Sequence, residues 1–443
     1  MYNSLSGEKE VFKPITEGYV GMYVCGPTVY NDVHMGNCMT FVRFDMIYRY
    51  LLHLGYKVRY VRNITDVDDK IIRRAGENGE AVDQLTERMI AAMHEDEDRL
   101  SVLRPDQEPR ATGHIDDIVE MVSTLIEKGF AYAASNGDVY YRVEKFATYG
   151  RLTNKNVDEL RSGARVDVED AKESPLDFVL WKAAKEGEVS WASPWGPGRP
   201  GWHIECSAMS KCCLGNTFDI HGGGPDLPFP HHENEVAHSC CANDTQNFAN
   251  YWVHNGFITM SDQKMSKSLG NIALIKDVVA ENNGEVVRWL LLSAHYRQSV
   301  DFSQASLEQA QKTLNRIYTT LRDNQHIETD GNAQVDPELL AALQDDLNTP
   351  MAFARIHALT KQLANAESEA EKTTVKSVLM ASAELLGLFS MPVDKWFSHE
   401  QDVDDEFKQK VEQLITDRKQ ARADKDWAKS DAIRDEIDAL GVI

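Results

Sequence analysis

The 443-residue chain lacks any run of about 18 apolar residues, so no membrane-spanning helix is expected. Met1 to Lys13 is polar and charged, without a basic stretch leading into an apolar core, which speaks against a secretory leader. There is no Cys-x-x-Cys pair and no internal repeat. The cysteines number seven, an odd count, and four of them stand in two adjacent pairs, Cys212-Cys213 and Cys240-Cys241. That pattern excludes a disulfide framework and suits a reducing cytoplasm. Positive charge is also scarce: the formal net charge of −23 excludes a generic nucleic-acid coat, so any RNA contact must come from a local basic patch.

The hydrophobic content of 42% is ample for real cores, and the length is a prior for about three domains. Residues 18–27 read as a short apolar strand ending in a turn at Cys25-Gly26-Pro27. A helix follows from about Met39 to Leu54, with Phe41, Phe44, Ile47, Tyr48 and Leu51 at helical spacing. Lys57 to Ile64 alternates as a second strand, which makes a βαβ unit and predicts a parallel sheet. Amphipathic helices are expected at about 82–103 and 115–128. Residues from about 130 to 200 change character, with a strand at Asp138 to Arg142 and a run rich in Trp, Pro and Gly, and they read as an insertion returning to the first sheet near Trp202. Phe218-Asp219-Ile220 reads as another core strand, with His221 and Gly222 to Gly224 in its terminal loop. After about Ser303 the chain turns helical, with Asn348-Thr349-Pro350 a strong helix start.

Two constellations carry chemistry. Lys264-Met265-Ser266-Lys267-Ser268, followed by Leu269-Gly270-Asn271, sets two ammonium groups three apart in a hydroxyl-rich loop, which suits a grip on a polyphosphate. Phe229 to Glu235 reads as a helix opening at Pro230, with His231 and Glu235 four apart on one face. Cys25 and Cys206, each at the end of a strand-like segment, complete two thiols, an imidazole and a carboxylate, a plausible zinc set. By spacing alone Cys212, Cys213, His238, Cys240 and Cys241 remain rival ligands.

Cys25, Trp202-His203-Ile204-Glu205-Cys206, His221 to Asp226, Phe229 to Glu235 and the lysine loop occur in this order over nearly the whole chain. Together with Asn63 to Lys70 and Asp345 to Pro350, the set resembles the cysteinyl-tRNA synthetase family of class I aminoacyl-tRNA synthetases. The resemblance implies an α/β fold: a Rossmann-like parallel-sheet catalytic domain with an inserted connective domain, then a helical bundle and a small C-terminal anticodon-binding domain. It divides the chain into catalytic halves at 1–115 and 201–250, the insertion at 116–200, a signature-loop region at 251–304, the bundle at 305–390 and the C-terminal domain at 391–443. It implies Zn²⁺ on Cys25, Cys206, His231 and Glu235, as a selector of the substrate thiol and not an activator of water. It places Gly26, Thr65, Trp202 and His221 at the amino acid, and Gly36, Gly224, Asp226 and Lys267 at ATP, which brings Mg²⁺. His34-Met35-Gly36-Asn37 stands where the family's class carries His-Ile-Gly-His. The amide of Asn37 can donate a hydrogen bond but cannot become cationic. His34, Asn37, Lys264 and Lys267 are then the catalytic residues.

The expected activity is ATP-dependent formation of a cysteinyl adenylate from L-cysteine and transfer to the 3′ end of tRNA(Cys), by a cytoplasmic monomer with no membrane partner. Two competing expectations are a cysteine ligase acting on an amino-sugar acceptor and an inactive zinc-containing RNA-binding paralogue. Arg418, Arg422, Lys425 and Lys429 would form one basic stripe if their helix is unbroken, whereas Asp426 as a cap would split it. Trp427 reads as a packing residue or a stacking platform for a base. The family usually continues through a short basic, Trp-containing tail, whereas this sequence ends at Gly441-Val442-Ile443.

Overall fold

The structure is a computed structural model describing residues 1–154, 171–260, 263–264, 272–398, 405–424 and 426–440. Contacts divide the chain into two units, Met1–Ser390 and Met391–Ile443.

The first unit is organised by a four-stranded parallel sheet built from β1 (Tyr19–Val24), β2 (Lys57–Arg62), β3 (Phe218–Gly223) and β4 (Ala249–His254), in the spatial order β4-β3-β1-β2. β1 and β3 are buried almost end to end, as strands covered on both faces must be. Helix α1 (Met35–His53) crosses from β1 to β2 and packs fourteen buried residues, including Phe41, Phe44 and Ile47, around its circumference. The chain runs from β1 to β2 on one side and resumes at β3 on the other. The C-terminal ends of β1 and β3 therefore flank a topological switch point, where open α/β sheets hold their ligands.

β3 extends through His221 and Gly222, which the sequence reading put in a loop. Gly222 pairs with Val24 on one side and Val253 on the other. A Cβ there would lie 2.2 Å from the Phe44 ring, so the glycine marks close packing of helix on sheet and not a flexible turn.

The insertion begins with the helix Ile115–Glu127 and continues as an antiparallel sheet of Ala131–Ala133, Val139–Tyr141, Phe178–Ala183 and Gly198–Pro200. It returns through helix α2 (Trp202–Leu214). Cys206 thus sits within a helix, not at the end of a strand: Ile204 and Ala208, four apart, face the core cluster that also contains Ile115, Ile118 and Trp181. Trp202 opens α2 and is 41% exposed, so it is not a core tryptophan.

Helix α3 spans Glu233–Asn243 and is preceded by an irregular turn, Pro228–His232. Pro230 lies inside that turn and not at the helix start. Phe229 takes an extended conformation, as a residue before proline prefers, and this delays the helix. After a small hairpin of Ile258–Met260 and Gln263–Lys264, the helices Gln304–Asp323, Pro337–Gln344, Thr349–Asn365 and Glu369–Leu385 complete the unit. Asn348 caps the third of these through the Met351 amide. The buried Asp346 ties this region to the chain's start, accepting from the Tyr2 amide and from the Tyr296 hydroxyl and Arg297 guanidinium.

In the second unit, helices Asp405–Ala423 and Trp427–Ala439 pair with each other. Asp426 accepts from the Lys429 amide at 3.1 Å and starts the second helix, so the basic stripe of Arg418, Arg422 and Lys429 is split. Lys425 lies outside the described residues. Trp427 is 60% exposed.

Candidate active site and metal centre

A crevice of about 960 Å³ opens at the switch point, lined by Cys25, Gly26, His34, Asn37, Trp202 and Asp226 among others. Its floor exists because Gly26 lets the end of β1 press against the next strand's extension. A Cβ at Gly26 would fall 1.7 Å from the Asn63 carbonyl oxygen, and the Gly26 amide donates to the Asn63 side chain.

At the deep end, β1, α2 and the turn leading into α3 bring Cys25, Cys206, His231 and Glu235 together, all buried. Cys25 Sγ lies 3.8 Å from Cys206 Sγ, 3.5 Å from His231 Nε2 and 3.4 Å from Glu235 Oε1. Around a tetrahedral zinc with bonds of about 2.3 Å to sulfur and about 2.0 Å to nitrogen or oxygen, such edges measure about 3.8 Å and about 3.5 Å. The His231 Nε2–Glu235 Oε1 edge is shorter, at 2.8 Å, the length of an ion pair.

The charges fit as well. A hydrogen bond from Cys25, outweighing burial, brings the Cys206 thiol down to about 6, while burial and Cys206 push Cys25 well up. Burial opposes the charge on His231, but Glu235 and Cys206 raise it to about 10. Glu235 stays well below the usual carboxylate range against its burial, because His221 and His231 face it. The set thus already contains ionised ligand groups, and a dication binding there would displace the protons that remain.

A second layer orients these ligands. His221 Nε2 meets Glu235 Oε2 at 2.7 Å, and His203 Nδ1 meets His231 Nδ1 at 2.9 Å. The Trp202 ring stacks on His231 with centroids 4.4 Å apart. His221 and His232 also come within ligand reach of Cys25 and Glu235, an overlapping group that lacks the second thiol. Of the rivals by spacing, His238 bonds to Ser207 Oγ, Cys240 and Cys241 lie in other surroundings, and Cys212 and Cys213 lie toward the far end of α2. Thr65 donates to the buried Glu205 at 3.0 Å.

The outer end of the crevice is made differently. His34 caps α1, accepting from the Asn37 amide at 3.4 Å, and the Asn37 side-chain oxygen accepts from the His34 amide at 3.3 Å. With Oδ1 engaged, Nδ2 of Asn37 is the group left to donate, an orientation assigned from the hydrogen bonds. Burial lowers the His34 pKa, with nearby Asp226 opposing, so the imidazole is neutral at pH 7. A Cβ on Gly224 would come 2.9 Å from Asp226 Oδ1, and both line the crevice with Gly36. Lys264 pairs through its backbone with Thr259, while its side chain and the whole of Lys267 lie outside the described residues.

Sequence reasoning missed His203, Asn63 and Glu205, although each lies within or beside a motif it had singled out. It also missed Lys70, Arg73 and Arg74, which line the same crevice from the helix Asp69–Asn78. Their i, i+3, i+4 spacing directly after Asp69 was the available signal.

Comparison with known proteins agrees with this architecture. Residues 11–312 match the family described as tRNA synthetases class I (C) catalytic domain, residues 339–390 the DALR domain, and residues 404–443 the cysteinyl-tRNA ligase anticodon binding domain. The cysteine–tRNA ligase of Vibrio vulnificus (strain CMCP6) is 50% identical over 100% of this chain and 96% of its own length. That of Shewanella pealeana is 51% identical with the same coverage. Among solved structures, Mycobacterium tuberculosis methionyl-tRNA synthetase in complex with methionyl-adenylate superposes with a TM-score of 0.59 at 15% identity, over 86% of this chain and 93% of that one. No described helix is long and apolar enough to cross a membrane.

Proposed function

The chain belongs to the cysteine–tRNA ligase family of class I aminoacyl-tRNA synthetases, and on that premise we propose how its crevice divides the work of joining L-cysteine to tRNA(Cys) at the expense of ATP. The amino acid enters at the deep end, where Cys25, Cys206, His231 and Glu235 would hold a zinc ion. Such an ion would supply a soft, charged partner for a substrate thiolate, which a serine hydroxyl, staying protonated, could not match. An apolar pocket alone separates near-isosteres by no more than about 10²-fold. Trp202 covers His231 at the mouth of this end and Gly26 lines the crevice, while the buried Thr65 and His221 back the amino-acid space through Glu205 and Glu235.

The substrate carboxylate attacks the α-phosphate of ATP, and pyrophosphate leaves. Gly36 and Gly224 let the nucleotide approach the backbone, Asp226 is placed for the ribose, and Mg²⁺ arrives with ATP. Neutral His34 and the Nδ2 of Asn37 donate to phosphate oxygens, and Lys264 and Lys267 supply the positive charge that Asn37 cannot. No covalent enzyme intermediate is needed: positioning and charge stabilisation carry the step. A ribose hydroxyl at the tRNA 3′ end then takes the cysteinyl group.

The observation that carries this reading is the set of sulfur-centred distances among the four ligand groups, 3.8, 3.5 and 3.4 Å, which suits a tetrahedral zinc. The match of residues 404–443 to an anticodon-binding domain disfavours an amino-sugar acceptor. We place the protein in the cytoplasm as a monomer, consistent with seven free cysteines. Cysteine-dependent ATP–pyrophosphate exchange, followed by transfer to tRNA(Cys) or to a glucosamine acceptor, tests the proposal. Exchange with transfer to tRNA is expected, and absence of exchange would overturn it.

A further inference from the structure

The adjacent cysteines Cys212 and Cys213 play no part in the crevice. They lie in the last turn of α2, six and seven residues beyond Cys206, or about 9 Å further along the helix axis. There the helix meets the point where the chain leaves the core for its insertion. His114 ends the short turn Ala111–His114, and Asp117 stands three residues on, in the first turn of the next helix. One ligand atom each from His114, Asp117 and Cys212 lies within 4.8 Å of the others.

We propose that His114, Asp117 and Cys212 form a second, surface site for a thiophilic divalent cation of the zinc class, distinct from the centre in the crevice. The donor set is the argument for the metal class. One thiolate, one imidazole and one carboxylate favour zinc over the hard cations magnesium and calcium, which take oxygen donors. Three protein ligands leave a coordination position for water, so this site is weaker than the four-ligand centre.

The backbone beneath the ligands is already set. Ala111 is fully buried under the turn, and Ile115 and Ile118 pack with Ile204 and Ala208 of α2 in one core cluster. The ligands therefore come from two elements whose relative placement the core determines, and only side chains need to adjust. His114 Nδ1 and Asp117 Oδ2 lie 2.7 Å apart, the same contracted nitrogen–oxygen edge that His231 and Glu235 show at 2.8 Å. A bound cation would pin the first turn of the helix Ile115–Glu127 to the end of α2.

The test uses full-length protein equilibrated in a zinc buffer, with metal counted per chain. Wild type is expected to hold one zinc more than either His114→Ala or Cys212→Ser, with cysteine-dependent pyrophosphate exchange unchanged in both variants. Graded chelation should remove this zinc first, before exchange activity falls. Zinc should also slow alkylation of Cys212 in wild type and not in His114→Ala. The readout is the difference of one between wild type and variant, so failure of the crevice to bind zinc would leave it intact. Equal zinc content in wild type and both variants, or equal protection of Cys212 in His114→Ala, would overturn the proposal.

Discussion

The two ends of one crevice are built on opposite plans. At the deep end, Cys25, Cys206, His231 and Glu235 are buried, and His221, His203 and Trp202 hold the ligand groups from behind. At the outer end, His34 and Asn37 are half-buried and the remaining groups are ordinary charges at the rim of the cavity. The difference follows from what each end must recognise. Separating sulfur from oxygen in a small ligand needs donors fixed beforehand, because misplaced ligands lose the metal's preference. A polyphosphate is large and highly charged, and several loosely placed donors suffice to bind it.

The contrast can be broken at the deep end first. Cys206→Ser removes one of the two thiols of the set and leaves His231 and Glu235 facing an incomplete shell. Loss of one partner from such a buried charged set costs about 3–5 kcal/mol. Zinc affinity should fall by ~10²- to 10⁴-fold, with cysteine activation falling alongside and ATP affinity retained. Metal content and equilibrium nucleotide binding on the same preparation check this.

At the outer end, Lys267→Ala should cost about 3 kcal/mol in the adenylation step, or ~10²-fold in rate, while zinc content and cysteine affinity stay at wild-type values. Equal losses in cysteine binding and adenylation would erase the division between the ends.

Two smaller changes sharpen it. His221→Ala removes the group behind Glu235 and should lower zinc affinity by about 10- to 100-fold, the range for outer-shell partners. Asn37→Ala removes a capping oxygen and a phosphate donor together. The cap contributes about 1 kcal/mol, to be seen as a lower melting temperature. Asn37→His, keeping a donor, should change pyrophosphate exchange by less than the alanine variant does and leave the cysteine KM unchanged.

Much of this division was legible in the sequence. The βαβ pattern from Gly18 to Ile64 located the first half of the sheet, and the ordered motifs contain Cys25, Cys206, His231 and Glu235, which the structure brings together, and His34, Asn37, Trp202 and Asp226, which line the crevice. What could not be read was context. Cys206 reads as ending a strand-like segment, yet Ile204 to Ser210 of α2 are buried all round the helix, where helical and strand patterns lose their contrast. His221 and Gly222 look like a loop because three glycines follow one another. The packing reason for Gly222 is the Phe44 ring, 178 residues back in the chain, a neighbour that no local window contains. Asp346 likewise stood in a motif with no assigned role, and the structure shows it fastening Tyr2, Tyr296 and Arg297. Long-range side-chain partners of this kind are decided by tertiary packing, whereas helix caps such as Asn348 are decided within four residues and could be read directly.

The central claim is that selection of the thiol resides at the deep end alone. It is tested most directly by measuring pyrophosphate exchange with cysteine and with serine on holoprotein, on zinc-free protein and after zinc is restored. The account predicts that removing zinc abolishes the preference for cysteine, that ATP still binds, and that zinc restores the preference. Zinc-free protein that discriminates cysteine from serine as well as the holoprotein does would contradict it.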